Sequence, residues 1–351
     1  MRRMRSTFED KDCIYLLKDL TGVIKFTGFS EKEARITSGV NYSEMITEEN
    51  AISDEVNDIF QSTLKNKAAE LAKYVGIVAE RIYAYSGTDM VVVSLARAGS
   101  PIGALIKRYV LFKYKLSVPH YSISIIRGKG IDENAMDYIR EKHPLGVMTF
   151  VDGWTGKGSI SNELKGAISK YNASRGVNIS SDLAVLADPA RIAAIAGTRD
   201  DICIPNACLN STISGLVSRT IHNHAYIGPS DFHGAVRYNN LAFQDLTNYF
   251  LDVVESYFYD CAKEEVPAQG VSCVETIKTK LANDFPLSDI HKVKLSIGES
   301  SRALLRRVPY VVLVKNADNP DLDFVLHLAR KKGVEIIQYD TLDYECVTLL
   351  R

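Results

Sequence analysis

The stretch Thr149-Phe150-Val151-Asp152-Gly153-Trp154-Thr155-Gly156-Lys157-Gly158-Ser159 holds the residue types that a phosphate-binding turn needs. Apolar residues lead into an acid, a Thr-Gly-Lys-Gly-Ser turn follows, and a helix is expected from Ile160. Such a turn aims backbone N–H groups outward at the positive end of a helix. Its glycines let the backbone approach an anion closely, and Lys157 adds a point charge. Asp152, at the strand end, is placed to bind sugar hydroxyls or a hydrated magnesium ion. This is not a Walker A loop, because Gly158 and not Ser or Thr follows Lys157. The plainer alternative is a strand-turn-helix connection whose glycines serve geometry alone.

Three further turns carry similar chemistry. Arg97-Ala98-Gly99 follows the apolar run Met90–Leu95, and Arg97 could hold a phosphate bidentately. Arg127-Gly128-Lys129-Gly130 follows Tyr121–Ile126 and could close over a bound ligand and exclude water. Asp188-Pro189 follows Leu183–Ala187. The alternatives are a turn arginine on the surface and a solvated loop. Together the four turns imply a polyanionic ligand with a hydroxyl-bearing or metal-bound portion.

The elements that would position these turns alternate along the chain. Residues 54–85 show apolar positions at helical spacing, with a break expected near Gly76. The runs 90–95, 121–126, 147–151 and 183–187 read as buried parallel strands. Helices are expected over 102–114, 134–143 and 161–171. This alternation means a doubly wound α/β sheet, whose ligands bind beyond the carboxyl ends of the strands. Residues 1–50 read as an N-terminal extension, 51–265 as the sheet domain, 266–289 as a linker and 290–351 as a separate small unit. A long helix is expected over 241–262 and a short one over 274–281.

Composition bounds the function. The chain has 351 residues, with 42 Lys and Arg against 43 Asp and Glu and a net charge of −1. No global charge drives it to nucleic acid or an acidic membrane, so anion binding must be local. Six scattered cysteines with no C-x-x-C pair argue against a disulfide framework and fit a cytoplasmic setting. No apolar run approaches the roughly 18 residues needed to span a bilayer, and no signal peptide is expected.

The order of the loops resembles the type I phosphoribosyltransferases. That resemblance implies pyrophosphate binding at Arg97-Ala98-Gly99, ribose binding with Mg²⁺ at Asp152, and 5-phosphate binding at Thr155, Gly156, Lys157, Gly158 and Ser159. Arg127, Lys129 and Asp188 complete the expected substrate contacts. Gly153 stands where the family's pattern has a second acid, and the turn is shorter by roughly two residues. The stretches SGVNYSEM, SLARAGSPIG, PHYSISIIRGKGIDENA, FVDGWTGKGSI, LADPAR and IPNACLNSTISGLVSRT resemble one subfamily more closely. It is the tellurite-resistance-associated phosphoribosyltransferase-like family, also called the cysteine protease StiP family. The leading expectation is a glycosyltransferase that joins a phosphoribosyl pyrophosphate-like donor to a base-like acceptor in a stress-response system. A homo-oligomer is compatible with the sequence.

Two alternatives stand beside it. A cysteine peptidase needs Cys and His within hydrogen-bond reach. Cys208 lies in a polar, turn-like segment, with His222, His224 and His233 downstream. The plainer reading makes Cys208 a small buried residue. The other alternative is a non-catalytic nucleotide- and RNA-binding sensor. It is favoured by the missing second acid at Gly153, with RNA contact implied by the C-terminal unit, whose α/β/α order resembles the Pelota-type RNA-binding domain. There Gly298, Glu299, Ser301 and Arg302 match an RNA-contacting turn, and Arg306 and Arg307 extend it into a basic patch. The Ala-Asn of the kink-turn pattern is missing.

Overall fold

The computed structural model describes residues 3–285 and 292–350. Met1 and Arg2 of the basic N-terminus, the expected linker from 286 onward, the first two residues of the C-terminal unit and Arg351 lie outside the described residues.

Six strands form the main sheet: β1 (Ile14–Tyr15), β2 (Met90–Leu95), β3 (His120–Ile123), β4 (Val147–Val151), β5 (Leu183–Ala187) and β6 (Ile195–Thr198). Their order is β1-β3-β2-β4-β5-β6, with all neighbours parallel. The helices that flank the sheet are α1 (Asp54–Ser86), α2 (Gly99–Tyr114), α3 (Glu133–Lys142), α4 (Ser159–Arg175) and α5 (Thr247–Glu255); a further helix, Phe29–Thr37, lies in the N-terminal segment. Along β2 the side chains alternate between faces, as a pleated strand requires. Met90 and Val92 join the cluster of Leu71, Val75 and Leu105, while Val91 and Val93 join Met136, Ile139, Leu164 and Ile168. Both faces are therefore covered, α1, α2 and α5 on one and α3 and α4 on the other.

Several local expectations change for physical reasons. Helix α1 runs unbroken through Gly76, because the missing side chain there admits Cys261. A β-carbon at Gly76 would come 2.3 Å from the Cys261 Sγ. The strand expected over 121–126 breaks after Ile123. Ser124 turns to hydrogen-bond His233 Nδ1 at 2.8 Å, and Ile125–Ile126 pairs antiparallel with Gly130–Ile131. The helix expected over 241–262 is a 3₁₀ segment, Asn239–Gln244, followed by α5. Between them the Asp245 carboxylate accepts the Thr247 N–H at 3.0 Å and its hydroxyl at 2.7 Å, restarting the helix. The N-terminal 50 residues are built into the domain. β1 extends the sheet edge, and Asp12 makes a bidentate pair with buried Arg108 at 2.9 and 2.6 Å.

The C-terminal unit contains α6 (Val274–Asp284), β7 (Val293–Leu295), α7 (Ile297–Arg306), β8 (Val311–Val314), α8 (Asp323–Lys331), β9 (Glu335–Gln338) and β10 (Cys346–Leu349). Its sheet order is β7-β10-β8-β9, and only β8–β9 is parallel. Helix α6, which falls inside the expected linker, packs Val274, Ile277 and Leu281 on this sheet. This unit has its own sheet, and it packs closely on the first domain. Ile297, Leu304, Phe324 and Val325 belong to the same apolar cluster as Phe60 and Leu64 of α1. Lys67 and Asp321 pair across the junction at 2.6 Å.

Candidate functional site

From β2 the chain moves to β3 on one side, then crosses to β4 on the other. The crevice of such a sheet opens at this switch point, between the loops after β2 and β4. The loops meet closely. A β-carbon on Gly99 would lie 2.2 Å from the Val151 carbonyl oxygen, so only glycine lets α2 start there. Arg97 is 7 % exposed, and its guanidinium reaches Glu49 at 3.2 Å and the Val217 carbonyl at 2.8 Å. The Ala98 carbonyl accepts from Asn206 Nδ2 at 3.3 Å.

Helix α7 of the C-terminal unit closes this crevice. Its first turn is anchored by the Asp201 carboxylate, which accepts the Ile297 N–H at 3.0 Å and also takes the Glu345 N–H at 3.0 Å. Burial pushes Asp201 up to about 7, against the pull of these N–H donors. Gly298 lies against the Trp154 indole, and the Arg302 guanidinium stands 4.8 Å from its ring centre. Glu299 comes down on the presumptive phosphate turn. A β-carbon on Gly156 would meet its carboxylate carbon at 2.5 Å. The Tyr344 hydroxyl donates to the Gly156 carbonyl at 2.9 Å, and Lys157 Nζ donates to the Val293 carbonyl at 3.1 Å.

The expected site residues therefore divide. Arg97, Ala98, Gly99, Asp152, Arg302 and Arg306 are brought to one mouth, Glu299 lies beside it on Gly156, and Ser301 of α7 is buried. Thr155 donates its hydroxyl to Asp188, which is wholly buried and also accepts the Ile192 and Ala193 N–H groups and Arg199. This pair supports the turn from beneath. Gly158 takes a left-handed φ of 84° and Ser159 opens α4. The Arg127–Gly130 loop, expected to be free to close, is a hairpin tied down by Glu163. The Glu163 carboxylate accepts the N–H groups of Gly128 and Gly130 at 2.8 and 3.0 Å, while Lys129 reaches Glu44 at 3.2 Å. Arg306 and Arg307 are both exposed.

Charge at the mouth is unusual. Burial pushes Asp152 up to about 6, although the Gly153 N–H and Arg302 pull the other way. Burial, then Arg306 and Arg97, push Arg302 down to about 9. Burial also raises the Glu49 carboxyl, but Arg97 and the Ser211 donors outweigh it and hold it below its ordinary value. Asp152 was the residue expected to hold Mg²⁺. With Gly153 beside it and guanidinium groups around it, it offers a lone carboxylate in a cationic setting, which does not fit that ion. No group of three or more possible metal ligands occurs among the described residues.

The thiol does not form a dyad. Cys208 is fully buried, its Sγ lies 3.8 Å from Cys203 Sγ, and burial and that neighbour push it well above its ordinary value. His222 contacts His224 and His233 with ring centres 5.1 and 4.6 Å apart. Among the described residues none of the three histidines contacts Cys208. Cys273 alone of the six cysteines is part-exposed. Sequence reasoning missed Glu49, Arg219, Asp201 and Glu163. Their partners lie far away in sequence, so no local spacing marked them.

Residues 6–255 match the family described as tellurite-like stress resistance cysteine protease StiP. Residues 269–351 match the family described as PELOTA RNA binding domain. The cysteine protease StiP of Acinetobacter baylyi is 32 % identical over 364 aligned positions, which cover 98 % of this chain and 94 % of that one. These matches overturn the expected glycosyl transfer. The relatives are named for a peptidase, and neither match points to a phosphoribosyl donor or a base-like acceptor. Among the described residues no helix is long and apolar enough to cross a membrane.

Proposed function

The chain belongs to the family of tellurite-like stress resistance cysteine proteases, StiP, and from that premise we propose that it is a cysteine peptidase held latent by its own C-terminal unit, with Cys208 as nucleophile. The carrying observation is the position of the thiol. Cys208 closes the 3₁₀ turn Pro205–Ala207, two residues after Asn206, on the segment against which α7 packs. A buried neutral thiol does not attack a carbonyl. Undocking of α7 would admit solvent and substrate to this segment and let a histidine approach. Thiolate attack on a peptide carbonyl would then give an acyl-enzyme that water hydrolyses.

The test pairs thiol labelling with turnover. In the docked protein iodoacetamide should modify Cys273 and spare Cys208, read by peptide mass mapping. A variant that wedges α7 off the mouth should expose Cys208 and cleave an unfolded protein substrate. Replacing Cys208 by Ser in that variant should abolish cleavage. Undiminished cleavage after this replacement would remove Cys208 from the role.

The Pelota match supports a second contact, with RNA. Of the residues expected to make it, Gly298, Glu299 and Arg302 lie against Trp154 and Gly156 of the first domain, so RNA would reach them only after the same undocking. Gel-shift titration of short RNAs should therefore show tighter binding by the wedged variant. Equal binding by both forms would count against this coupling.

A further inference from the structure

A second opening lies away from the mouth, on the seam between the two units. It is a cavity of about 470 Å³. The loops after β5 and β6 wall it on one side and the C-terminal unit on the other. Arg191 and Arg199 come from the first domain, Cys273 from the position just before α6, and Asp343 from the C-terminal unit. Its size is that of a small-molecule site, which spans about 300–1,000 Å³.

Two cations of this wall are incompletely matched. Arg199 is 8 % exposed, and its bonds to Asp188 and the Ala193 carbonyl both leave from Nη1. Its Nε is buried without a partner, and its Nη2 makes no hydrogen bond among the described residues. Arg191 is half-buried and rests on Gly270, where a β-carbon would come 2.6 Å from Nη1. Its guanidinium has no carboxylate partner among the described residues. Guanidinium nitrogens shut away from water call for an acceptor. Most acids of the wall are already engaged. Asp201 holds the first turn of α7, Asp200 accepts the Thr198 hydroxyl at 3.1 Å, and Asp321 pairs with Lys67 at 2.6 Å. Glu345 accepts from Asn319 Nδ2 at 2.9 Å and pairs with Lys315 at 3.6 Å. Asp343 is exposed and makes no hydrogen bond or ion pair among the described residues. Cys273 feels both kinds of charge. Burial and then Asp343 push its thiol up, while Arg191 pulls it down.

Open cations and an open acid around one cavity select the ligand. A polyanion would meet Asp343 and the engaged acids, and a plain cation would meet Arg191 and Arg199. A molecule with a carboxylate at one end and an ammonium at the other answers both. The volume sets its length. A cavity of about 150 Å³ holds a six-carbon ring, so one three times larger holds roughly 18 non-hydrogen atoms. We propose that this cavity binds a short peptide of about three residues by its free termini, the carboxylate on Arg191 and Arg199 and the ammonium on Asp343. Its walls belong to both units, so the bound peptide favours the docked form by mass action. The site does not depend on the chain being a peptidase.

The probe is trialanine, titrated calorimetrically into the full chain beside its C-terminal amide and its N-acetyl form. Iodoacetamide labelling of Cys273, read by peptide mass mapping, is followed in the same mixtures. The wild type should bind trialanine about tenfold or more tightly than either blocked form, since each block removes one charged contact. Trialanine should also slow the labelling of Cys273. Arg191→Met should bind trialanine and its amide alike, and Asp343→Asn should bind trialanine and its acetyl form alike. Neither side chain has a hydrogen-bond partner to lose, and the two lie on different units, so a folding defect in one leaves the other informative. Absence of trialanine binding at millimolar concentration, or wild-type discrimination in both variants, would overturn the site. Equal binding of the three probes would overturn recognition by the termini. Alanine binding as tightly as trialanine would overturn the peptide class.

Discussion

Gly298 lies so close to Trp154 that a β-carbon there would come within 2.5 Å of the indole Cε2. Glycine at this point lets helix α7 reach the loop after β4, and this contact is one of several that join the two units over the mouth. Gly298→Ala improves the helix locally but wedges the interface. It should destabilise the protein by about 1–3 kcal/mol, and small-angle scattering should show a larger radius of gyration. A double-mutant cycle with Trp154→Ala tests the cause. If Gly298→Ala costs the same in both backgrounds, the wedge is not acting through the indole.

The anchor at Asp201 makes stability depend on pH. Its folded value, about 7, stands above its ordinary 3.8. A raised acid contributes stability that is fully present below about pH 4 and is lost as pH rises through about 7. The span corresponds to about 4 kcal/mol. Asp152 and Asp132, each pushed up to about 6 by burial, act in the same direction. Urea unfolding from pH 4 to 8 should show falling stability, and Asp201→Asn should flatten the curve. An unchanged slope in that variant would show that Asp201 does not titrate in this range.

Glu163 is the residue that ties the Gly-Lys-Gly hairpin. Glu163→Ala should speed amide exchange at residues 127–130 by more than tenfold, because two hydrogen bonds worth about 1 kcal/mol each are lost. Global stability should change little. Exchange identical to the wild type would mean that Glu44 and Asn41 hold the hairpin unaided.

Arg108 joins Asp12 of the N-terminal segment to Asp252 and Glu255 of α5. Its removal leaves Asp12, 2 % exposed, without its cation. Arg108→Ala should cost about 3–5 kcal/mol and should open the first 15 residues to limited proteolysis. A loss below 1 kcal/mol would mark the pair as a surface-like contact.

The sequence by itself determined the elements whose signals are local. Runs such as Leu183–Ala187, rich in buried apolar residues, are strands whatever their neighbours, and the expected bounds match β5 residue for residue. The turns after β2 and β4 were legible because glycine and charge cluster within a few positions. The resemblance to the StiP family was carried by long unbroken stretches, and that to the Pelota domain by the α/β/α order and the Gly298–Arg302 turn; both matches agree with it. The tertiary structure alone decided what the turns face. Gly156 and Lys157 read as a cradle for a phosphate, yet Glu299, Tyr344 and Val293 meet them from more than 130 residues away. Gly298 and Arg302 read as an RNA surface, yet they line the mouth of the other unit. Cys208 read as a nucleophile beside histidines only in the alternative, and packing buried it as the plainer reading had it. The physical reason is common to all three. Strand and helix signals depend on neighbours in sequence, whereas docking depends on shape, charge and burial summed over residues that only the fold brings together.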